Sequence, residues 1–401
     1  MNPYIEVRNV SKIFGNNPKA AIALLKQGKT KKEILSATGQ TVGVKNVSFE
    51  IYPGEIFVIM GLSGSGKSTL IRMFNRLIDP TIGEILIENE DIVKMNDARL
   101  REVRQKKISM VFQNFALFPH KTILDNTEYG LEIQKVPPEQ RKEKAMRALE
   151  VVGLKGYENQ LPKQLSGGMQ QRVGLARALA SNTSVILMDE AFSALDPLIR
   201  KDMQDELLEI QEKYKKTIIF ITHDLDEALR IGDRIALMKD GSVIQLGTPE
   251  QILMNPANEF VEKFVEDVNL SKILTASHVM KRAEKIGVDR GPRVALEIMR
   301  KQGYSSIFVV DRNRKLLGAI TAEQARHAIE HNQSISEVMT TEIPTVSGET
   351  LLTELMDVMA TSSLPISVID ENKRLEGIVI RGAVIGALAG NKDSLNDLEG
   401  E

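Results

Sequence analysis

The chain has 401 residues, 26% of them charged and 42% hydrophobic, with a formal net charge of −2. That leaves room for two or three domains with a substantial core in ordinary globular proportions, and the charge balance gives no reason to expect a nucleic-acid partner. With no cysteine, disulfides, thiolate metal sites and cysteine catalysis are excluded.

The first residues, Met1-Asn-Pro-Tyr-Ile-Glu6, lack a basic stretch followed by an apolar run and do not read as a signal peptide. No stretch approaches the roughly 18 apolar residues of a membrane span, so any membrane role is expected to be peripheral. Residues 5–10 alternate as a strand. Residues 20–41 then show helical spacing in Ala21-Ile-Ala-Leu-Leu25 and Lys32-Glu-Ile-Leu35, one or two short helices inserted at a domain edge. Residues 47–51 and 56–60 read as strands around the turn Tyr52-Pro-Gly-Glu55, and the second runs into Gly61-Leu-Ser-Gly-Ser-Gly-Lys67-Ser68-Thr69 and a helix over 69–77. Further on come an amphipathic helix at 139–152, the segment Leu165-Ser166-Gly167-Gly168-Met169-Gln170, and a helix over 168–180. A buried strand at 185–188 ends in Asp189-Glu190, a long helix covers 197–213, and a strand at 217–221 ends near His223. A hairpin over 235–246 and short helices at 251–255 and 259–264 bring the first domain to about residue 268.

The remainder repeats. Val279-Met280 and Val338-Met339 each open a unit, 59 residues apart. Each continues with a helix (294–302; 351–360), an apolar strand ending in Asp311 or Asp370, a charged turn and a glycine-initiated strand, Gly318-Ala-Ile-Thr321 or Gly377-Ile-Val-Ile380. Two similar small α/β modules packed together are expected, over 269–333 and 334–392, with a frayed acidic tail at 393–401. His327 and His331 sit four apart on one helix face; a solvated face is preferred there over a metal pair.

Strand, glycine loop and helix in succession are the context of a phosphate-binding loop. Gly61, Gly64 and Gly66 let the backbone curl so that its N–H groups, with the helix N-terminus, cradle a β-phosphate. Lys67 reaches the β- and γ-phosphates, and Ser68 offers its hydroxyl to Mg²⁺. A nucleoside triphosphate is therefore the expected ligand. Asp189 and Glu190 form a carboxylate pair that is costly to bury without cations; Asp189 is expected on Mg²⁺ and Glu190 on the attacking water. His223, at the end of a parallel strand, is placed for the γ-phosphate or that water. Gln113 can contact Mg²⁺ or the water, though a structural glutamine fits its position equally. Phe14 can stack on an adenine or belong to the core. Ser166 resembles an N-cap followed by two glycines, a second anion site best explained by a nucleotide held on a neighbouring copy.

Residues 1–268 resemble the ATP-binding subunit of ABC transporters, landmark by landmark. Phe14 matches the adenine-stacking loop, residues 61–69 (with Ser63, Ser65 and Thr69 among the contacts) the Walker A loop, and Gln113 the Q-loop. Residues 165–170 match the signature, with Met169 where glutamine is usual. Residues 185–190 match Walker B with its catalytic glutamate, Ser193-Ala-Leu-Asp196 the D-loop, with Asp196 near the nucleotide, and His223 the switch histidine. The 20–41 insertion, the stretch from Gln113 to Gly130 and a C-terminal pair of CBS-type modules resemble the glycine betaine/proline betaine importer group. The fold this implies is an α/β P-loop ATPase followed by tandem α/β CBS modules. It further implies two copies closing head to tail around two ATP molecules with Mg²⁺. The subunits would sit on the cytoplasmic face of the cell membrane, on permease subunits fed by a substrate-binding protein, and move glycine betaine or a related quaternary amine. Residues 113–126, with apolar Phe115, Leu117 and Phe118, would meet the permease; a local packed cluster is the competing reading.

CBS modules of this resemblance commonly hold adenine nucleotides with a Gly-x-x-Thr-x-x-Asp pattern. Here Gln324 and Ala383 stand in the Asp positions and Ile380 in one Thr position, which argues against ordinary AMP or ATP binding. Cyclic di-AMP at the modules is the favoured ligand, with a structural or salt-sensing tail as the alternative; Val279, Met280, Ser363, Ile366 and Arg381 are loosely grouped candidates. Competing functions are an importer of choline, carnitine or methionine, a soluble ABC ATPase unlinked to transport, and a nucleotide sensor that does not turn over.

Overall fold

The computed structural model describes residues 2–266, 271, 274–362 and 364–388. The chain forms two compact units, Met1–Asp267 and Val268–Glu401.

The first unit runs β1 (Ile5–Phe14), α1 (Pro18–Lys26), α2 (Lys31–Thr38), β2 (Thr41–Ile51), β3 (Ile56–Met60), α3 (Lys67–Phe74), β4 (Ile82–Ile87), β5 (Glu90–Asp91), α4 (Asp97–Lys106), β6 (Ile108–Phe112), α5 (Ile123–Ile133), α6 (Pro138–Val151), α7 (Gly167–Ala180), β7 (Val185–Asp189), α8 (Pro197–Tyr214), β8 (Thr217–Thr222), α9 (Leu225–Ile231), β9 (Arg234–Lys239), β10 (Ser242–Gly247), α10 (Pro249–Met254) and α11 (Glu259–Val265). Every residue of β3, β7 and β8 is buried, as expected of parallel strands covered on both faces. They lie in a six-stranded sheet of order β10-β9-β3-β8-β7-β6, parallel except where β10 turns back on β9. A second, antiparallel sheet, β2-β1-β4-β5, packs its alternating apolar face toward the first. Phe57, Phe74, Ile59, Ile71, Leu187 and Ile219 belong to the core that joins them. Burying each such side chain contributes about 1.5–3 kcal/mol. The C-terminal ends of β3, β6, β7 and β8 open on one edge, the place where open α/β sheets bind ligands.

Strand β2 begins at Thr41, earlier than the sequence suggests, and β4, α4 and α5 are elements that the apolar pattern does not announce. The inserted segment is two helices, α1 and α2, as expected.

The second unit contains α12 (Ala276–Val279), β11 (Lys285–Gly287), α13 (Pro292–Gln302), β12 (Ser306–Val310), β13 (Leu316–Thr321), α14 (Ala322–Glu330), α15 (Ile335–Val338), β14 (Thr345–Val346), α16 (Leu352–Thr361), β15 (Ile366–Ile369), β16 (Leu375–Val379) and α17 (Arg381–Leu388). The two sheets, β11-β12-β13 and β14-β15-β16, share one topology: a parallel pair followed by an antiparallel pair. The modules also trade segments. Thr340, at the start of the second, bridges to Ala319 in β13, and Lys281, at the start of the first, bridges to Ile378 in β16. This explains the repeated glycines, which lie inside their strands and do not start them. A Cβ on Gly318 would stand 2.4 Å from the Thr340 carbonyl oxygen, and one on Gly377 2.9 Å from that of Lys281.

Candidate active site

The loop after β3 wraps the entrance to α3. Gly61, Gly64 and Gly66 all hold positive φ (147°, 78° and 104°), which residues with a Cβ rarely adopt. Lys67 is only 4% exposed, and its ammonium is folded back onto the carbonyl oxygens of Gly61 (2.8 Å) and Leu62 (3.2 Å). Burial lowers its pKa, partly opposed by Glu190 and Asp189. The Ser65 hydroxyl is buried without a hydrogen-bond partner. A desolvated ammonium and an orphaned hydroxyl beside a helix N-terminus are groups that a phosphate would satisfy.

These residues floor a cavity of about 520 Å³, within the usual range of about 300–1,000 Å³ for small-molecule sites. Phe14, Ser63, Gly64, Gly66, Lys67, Ser68, Thr69 and Glu190 line it, joined by Thr41, Val42 and Gly43 and by Lys31, Lys32 and Leu35 of the insertion. Phe14 is 40% exposed, so it is not a core residue. Its ring lies over Gly43, where a Cβ would come within 2.7 Å of it. Lys12 Nζ stands 5.2 Å from the ring centroid.

Three adjacent strands deliver the remaining groups. Asp189 ends β7, 5% exposed, with Oδ2 accepting from Arg72 Nη2 at 3.2 Å. Glu190 follows with φ +48°, a sparsely populated conformation for a residue with a side chain and one that clusters at functional positions. Its Oε2 lies 3.4 Å from Gln113 Nε2, after β6, and 4.0 Å from His223 Nδ1, after β8. Gln113 Nε2 also donates to Ser193 Oγ at 3.1 Å. The Ser193 hydroxyl in turn donates to the Glu190 carbonyl at 2.9 Å. Behind His223, Asp224 caps α9, and the buried Glu227 accepts from Gln204 Nε2 at 3.1 Å. Burial raises the Glu227 pKa.

Ser68, Asp189 and Gln113 offer hydroxyl, carboxylate and amide oxygens, the donors a hard divalent cation takes. Among the described residues no group of three His, Cys, Asp or Glu converges on a point. Mg²⁺ would therefore complete its shell with phosphate oxygens and water, as this cation commonly does.

The structure does not bring every expected residue to the cavity. Ser166 is the N-cap of α7, its side chain accepting from Met169 N–H, and residues 166–168 do not line the cavity. Asp196 is spent as the N-cap of α8, accepting from Ile199 N–H at 3.1 Å. The loop after Gln113 is pinned to α7 by Arg177, which donates to the carbonyls of Ala116 (2.8 Å) and Phe115 (3.1 Å). Phe118 packs 4.5 Å from the ring of Tyr129, and Asn126 holds its backbone N–H and carbonyl, so this part of the loop is a local cluster. Phe115 and Leu117 remain half-buried. Gly43, Arg72 and the insertion lysines are site residues that sequence reasoning missed; only the glycine's place in a strand signals a close approach.

In the second unit Thr321 caps α14 and forms a reciprocal box with Gln324, so hydroxyl and amide are both occupied. Val279 and Ile366 are buried and serve packing. Met280 approaches Gly377, Arg381 donates to the Met359 carbonyl at 2.7 Å, and Ser363 lies outside the described residues. His327 and His331 stack at 4.1 Å on an exposed helix face.

A family model described as ABC transporter matches residues 44–193, and one described as CBS domain matches residues 276–331 and 335–390. The chain is 64% identical over 392 residues to the glycine betaine transport ATP-binding protein OpuAA of Bacillus subtilis (strain 168), covering 98% of this chain and 94% of that one. It is 48% identical over 389 residues to the glycine betaine/proline betaine transport system ATP-binding protein ProV of Escherichia coli (strain K12), covering 96% and 97%. Among solved structures it resembles the dimeric structure of MJ0796, a bacterial ABC transporter cassette, with TM-score 0.52 and 35% identity over 61% of this chain and 98% of that one.

Proposed function

This chain belongs to the family of ATP-binding subunits of glycine betaine ABC transporters, and on that premise we propose how its residues divide the work. Two copies bind two ATP molecules head to tail and couple hydrolysis to import of glycine betaine or a related quaternary amine. They act on the cytoplasmic face of the membrane, through permease subunits supplied by a binding protein. Among the described residues no helix is long and apolar enough to cross a membrane, which suits a subunit that docks on others. Phe14 stacks on the adenine, with Ser63, Gly64, Ser65, Gly66, Lys67, Ser68 and Thr69 around the phosphates. Ser68, Asp189 and Gln113 would hold Mg²⁺, which would supply positive charge to offset that of the phosphates. Residues 166–168 of the second copy close on the γ-phosphate of the first.

In hydrolysis a water oxygen bonds to the γ-phosphorus as the bond to the β,γ-bridging oxygen breaks, giving ADP and inorganic phosphate. Glu190 accepts a hydrogen bond from the attacking water and orients it, while His223 and Gln113 hold the Glu190 carboxylate and the γ-phosphate in register. The observation that carries this reading is the convergence of Gln113 and His223 on Glu190 Oε2, at 3.4 and 4.0 Å, at the ends of three neighbouring strands beside Lys67. Positioned proton-transfer groups contribute about 10²–10⁴-fold. Glu190→Gln is therefore expected to slow phosphate release by at least about 100-fold while ATP binding persists; unchanged turnover would remove Glu190 from the mechanism.

For the second unit the proposal is that cyclic di-AMP or ionic strength acts on the CBS pair to control transport. The engaged Thr321 and Gln324, with Ile380 and Ala383 in the usual polar positions, argue against AMP or ATP in the ordinary pockets and so favour one of these two regulators. Uptake of labelled glycine betaine into liposomes bearing the whole transporter, across a salt series with and without cyclic di-AMP, tests both regulators and the substrate together.

A further inference from the structure

The helical insertion between β1 and β2 is the part of the first unit that the ATPase motifs leave without a task. It is built to hold a position. Ile34 is fully buried with Ile13, Ala21, Leu25 and Val42, and this small core fastens α2 from one side. Thr30 and Glu33 form a reciprocal capping box at one end of α2, and Gly39, with φ 68°, closes the other by donating to the Leu35 carbonyl. The Gln40 amide oxygen accepts from Asn17 N–H at 3.1 Å and so ties the two ends of the insertion together.

With Ile34 turned inward, Lys31 and Leu35, one helical turn apart, share another face. Both line the cavity that the phosphate loop floors. Lys31 Nζ lies 3.5 Å from the Gly43 carbonyl oxygen, a long contact. That same oxygen would be 2.5 Å from a Cβ on Gly66, and a Cβ on Gly43 itself would be 2.7 Å from the Phe14 ring. The ammonium therefore stands beside Gly43, the residue that touches both the expected base platform and the entrance to α3. Burial lowers the Lys31 pKa, with Asp240 in partial opposition. No carboxylate among the described residues lies within ion-pair distance of it. A lysine ammonium has three donors, and here only one long bond to a carbonyl uses them.

We infer that α2 is an added wall of the nucleotide cavity, in which Lys31 binds the α-phosphate and ribose end of the nucleotide and Leu35 covers the sugar beside the base. The inference rests on the proposed ATP site. It assigns to the insertion lysine the end of the nucleotide that Lys67 does not reach. ADP keeps that end, so ATP and ADP feel Lys31 alike.

The test is calorimetric titration of ATP and of ADP, each with Mg²⁺, into the full-length chain and its Lys31→Ala and Lys31→Arg variants, alongside melting of the nucleotide-free proteins. Lys31→Ala is expected to weaken both nucleotides about five- to tenfold, as for one charge-assisted hydrogen bond. Lys31→Arg is expected to retain most of the affinity, and the nucleotide-free melting temperature to stay put. Wild-type affinity in Lys31→Ala would overturn the inference and leave the ATP site standing. A loss confined to ATP would overturn the α-phosphate assignment. A matching fall in nucleotide-free stability would make Lys31 a brace for the Gly43 backbone and not a ligand. A wild-type chain that bound neither nucleotide would fell the ATP site itself.

Discussion

The glycines at 61–66 and those at 167–168 both lead the backbone into the first turn of a helix, yet their surroundings differ at every level. The first set follows a fully buried strand, encloses a buried lysine and floors a cavity. The second follows a short 3-10 turn, and Ser166 and Gly167 are exposed at the mouth of a helix whose later residues are buried or half-buried. One segment carries its counter-charges with it; the other presents N–H groups and a small hydroxyl to the outside. A helix N-terminus of this kind gains most from an anion that arrives on another surface. On the proposed reading, the contrast is that of an ATP site half built in each of two places on a chain and completed only between chains.

The largest effect expected from breaking that division is in mixed dimers. Lys67→Ala and Gly167→Asp are each expected to abolish hydrolysis as homodimers. Gly167 has room for the change, since the nearest atom to an added Cβ is Phe115 Cζ at 3.7 Å. Combining one chain of each leaves a single intact composite site, so turnover should return to as much as half of wild type in a phosphate-release assay. If both substitutions sit on the same chain of the mixed dimer, neither site is complete and activity should stay absent. Recovery only when both substitutions sit on the same chain would show that each chain carries its own site.

A smaller effect, of opposite sign at the two segments, is expected in stability without nucleotide. Removing the Ser166 side chain in Ser166→Ala should cost about 1 kcal/mol, the usual worth of an N-cap. Lys67→Met removes a desolvated ammonium that two carbonyls and the charges of Glu190 and Asp189 offset only in part, and should be neutral or stabilising by up to about 1 kcal/mol. The sign follows from the lowered pKa of Lys67: folding disfavours its charged form, so the penalty is present at neutral pH and fades as pH rises through the folded-state value. Urea unfolding followed from pH 7 upward toward the ordinary lysine range should show the gap between wild type and Lys67→Met closing.

The smallest effect concerns the rear of the site. Glu227 has a raised pKa, so the folded chain holds its proton more tightly than the unfolded one. Its contribution is present below the ordinary carboxylate range and lost as pH rises through the raised value. Glu227→Gln keeps the shape and removes the titration; its unfolding free energy should vary less with pH between 4 and 7 than that of wild type.

Much of the site was legible in the sequence because its parts are local. A loop such as 61–69 has its geometry written into glycine spacing, and Asp189-Glu190 follows directly from a run of buried residues. What escaped is tertiary. Helix α4 carries only Leu100 and Val103 as buried anchors among charged residues, too few to show a period. The unpaired state of the Ser65 hydroxyl and the closeness of Phe14 to Gly43 depend on distant strands meeting. Gly318 and Gly377 were legible as repeated but not as sites of crossing, because the backbone that passes them belongs to the other module. The insertion showed its helices in its spacing and hid its task, since nothing in Lys31-Lys32 says which cavity the helix will flank.

The crossing of the two CBS modules has a consequence for how that half of the chain can come apart. Lys281 bridges to Ile378 and Thr340 to Ala319, so each module borrows a rung from the lead-in of the other, and the two exchanges repeat at the 59-residue period. Neither repeat is then a self-sufficient piece. A chain cut between them would leave β13 without its bridging neighbour, and the same register would be open to the lead-in of another molecule. The pair should melt in a single transition, and any signal that loosens one module is felt at once by its twin.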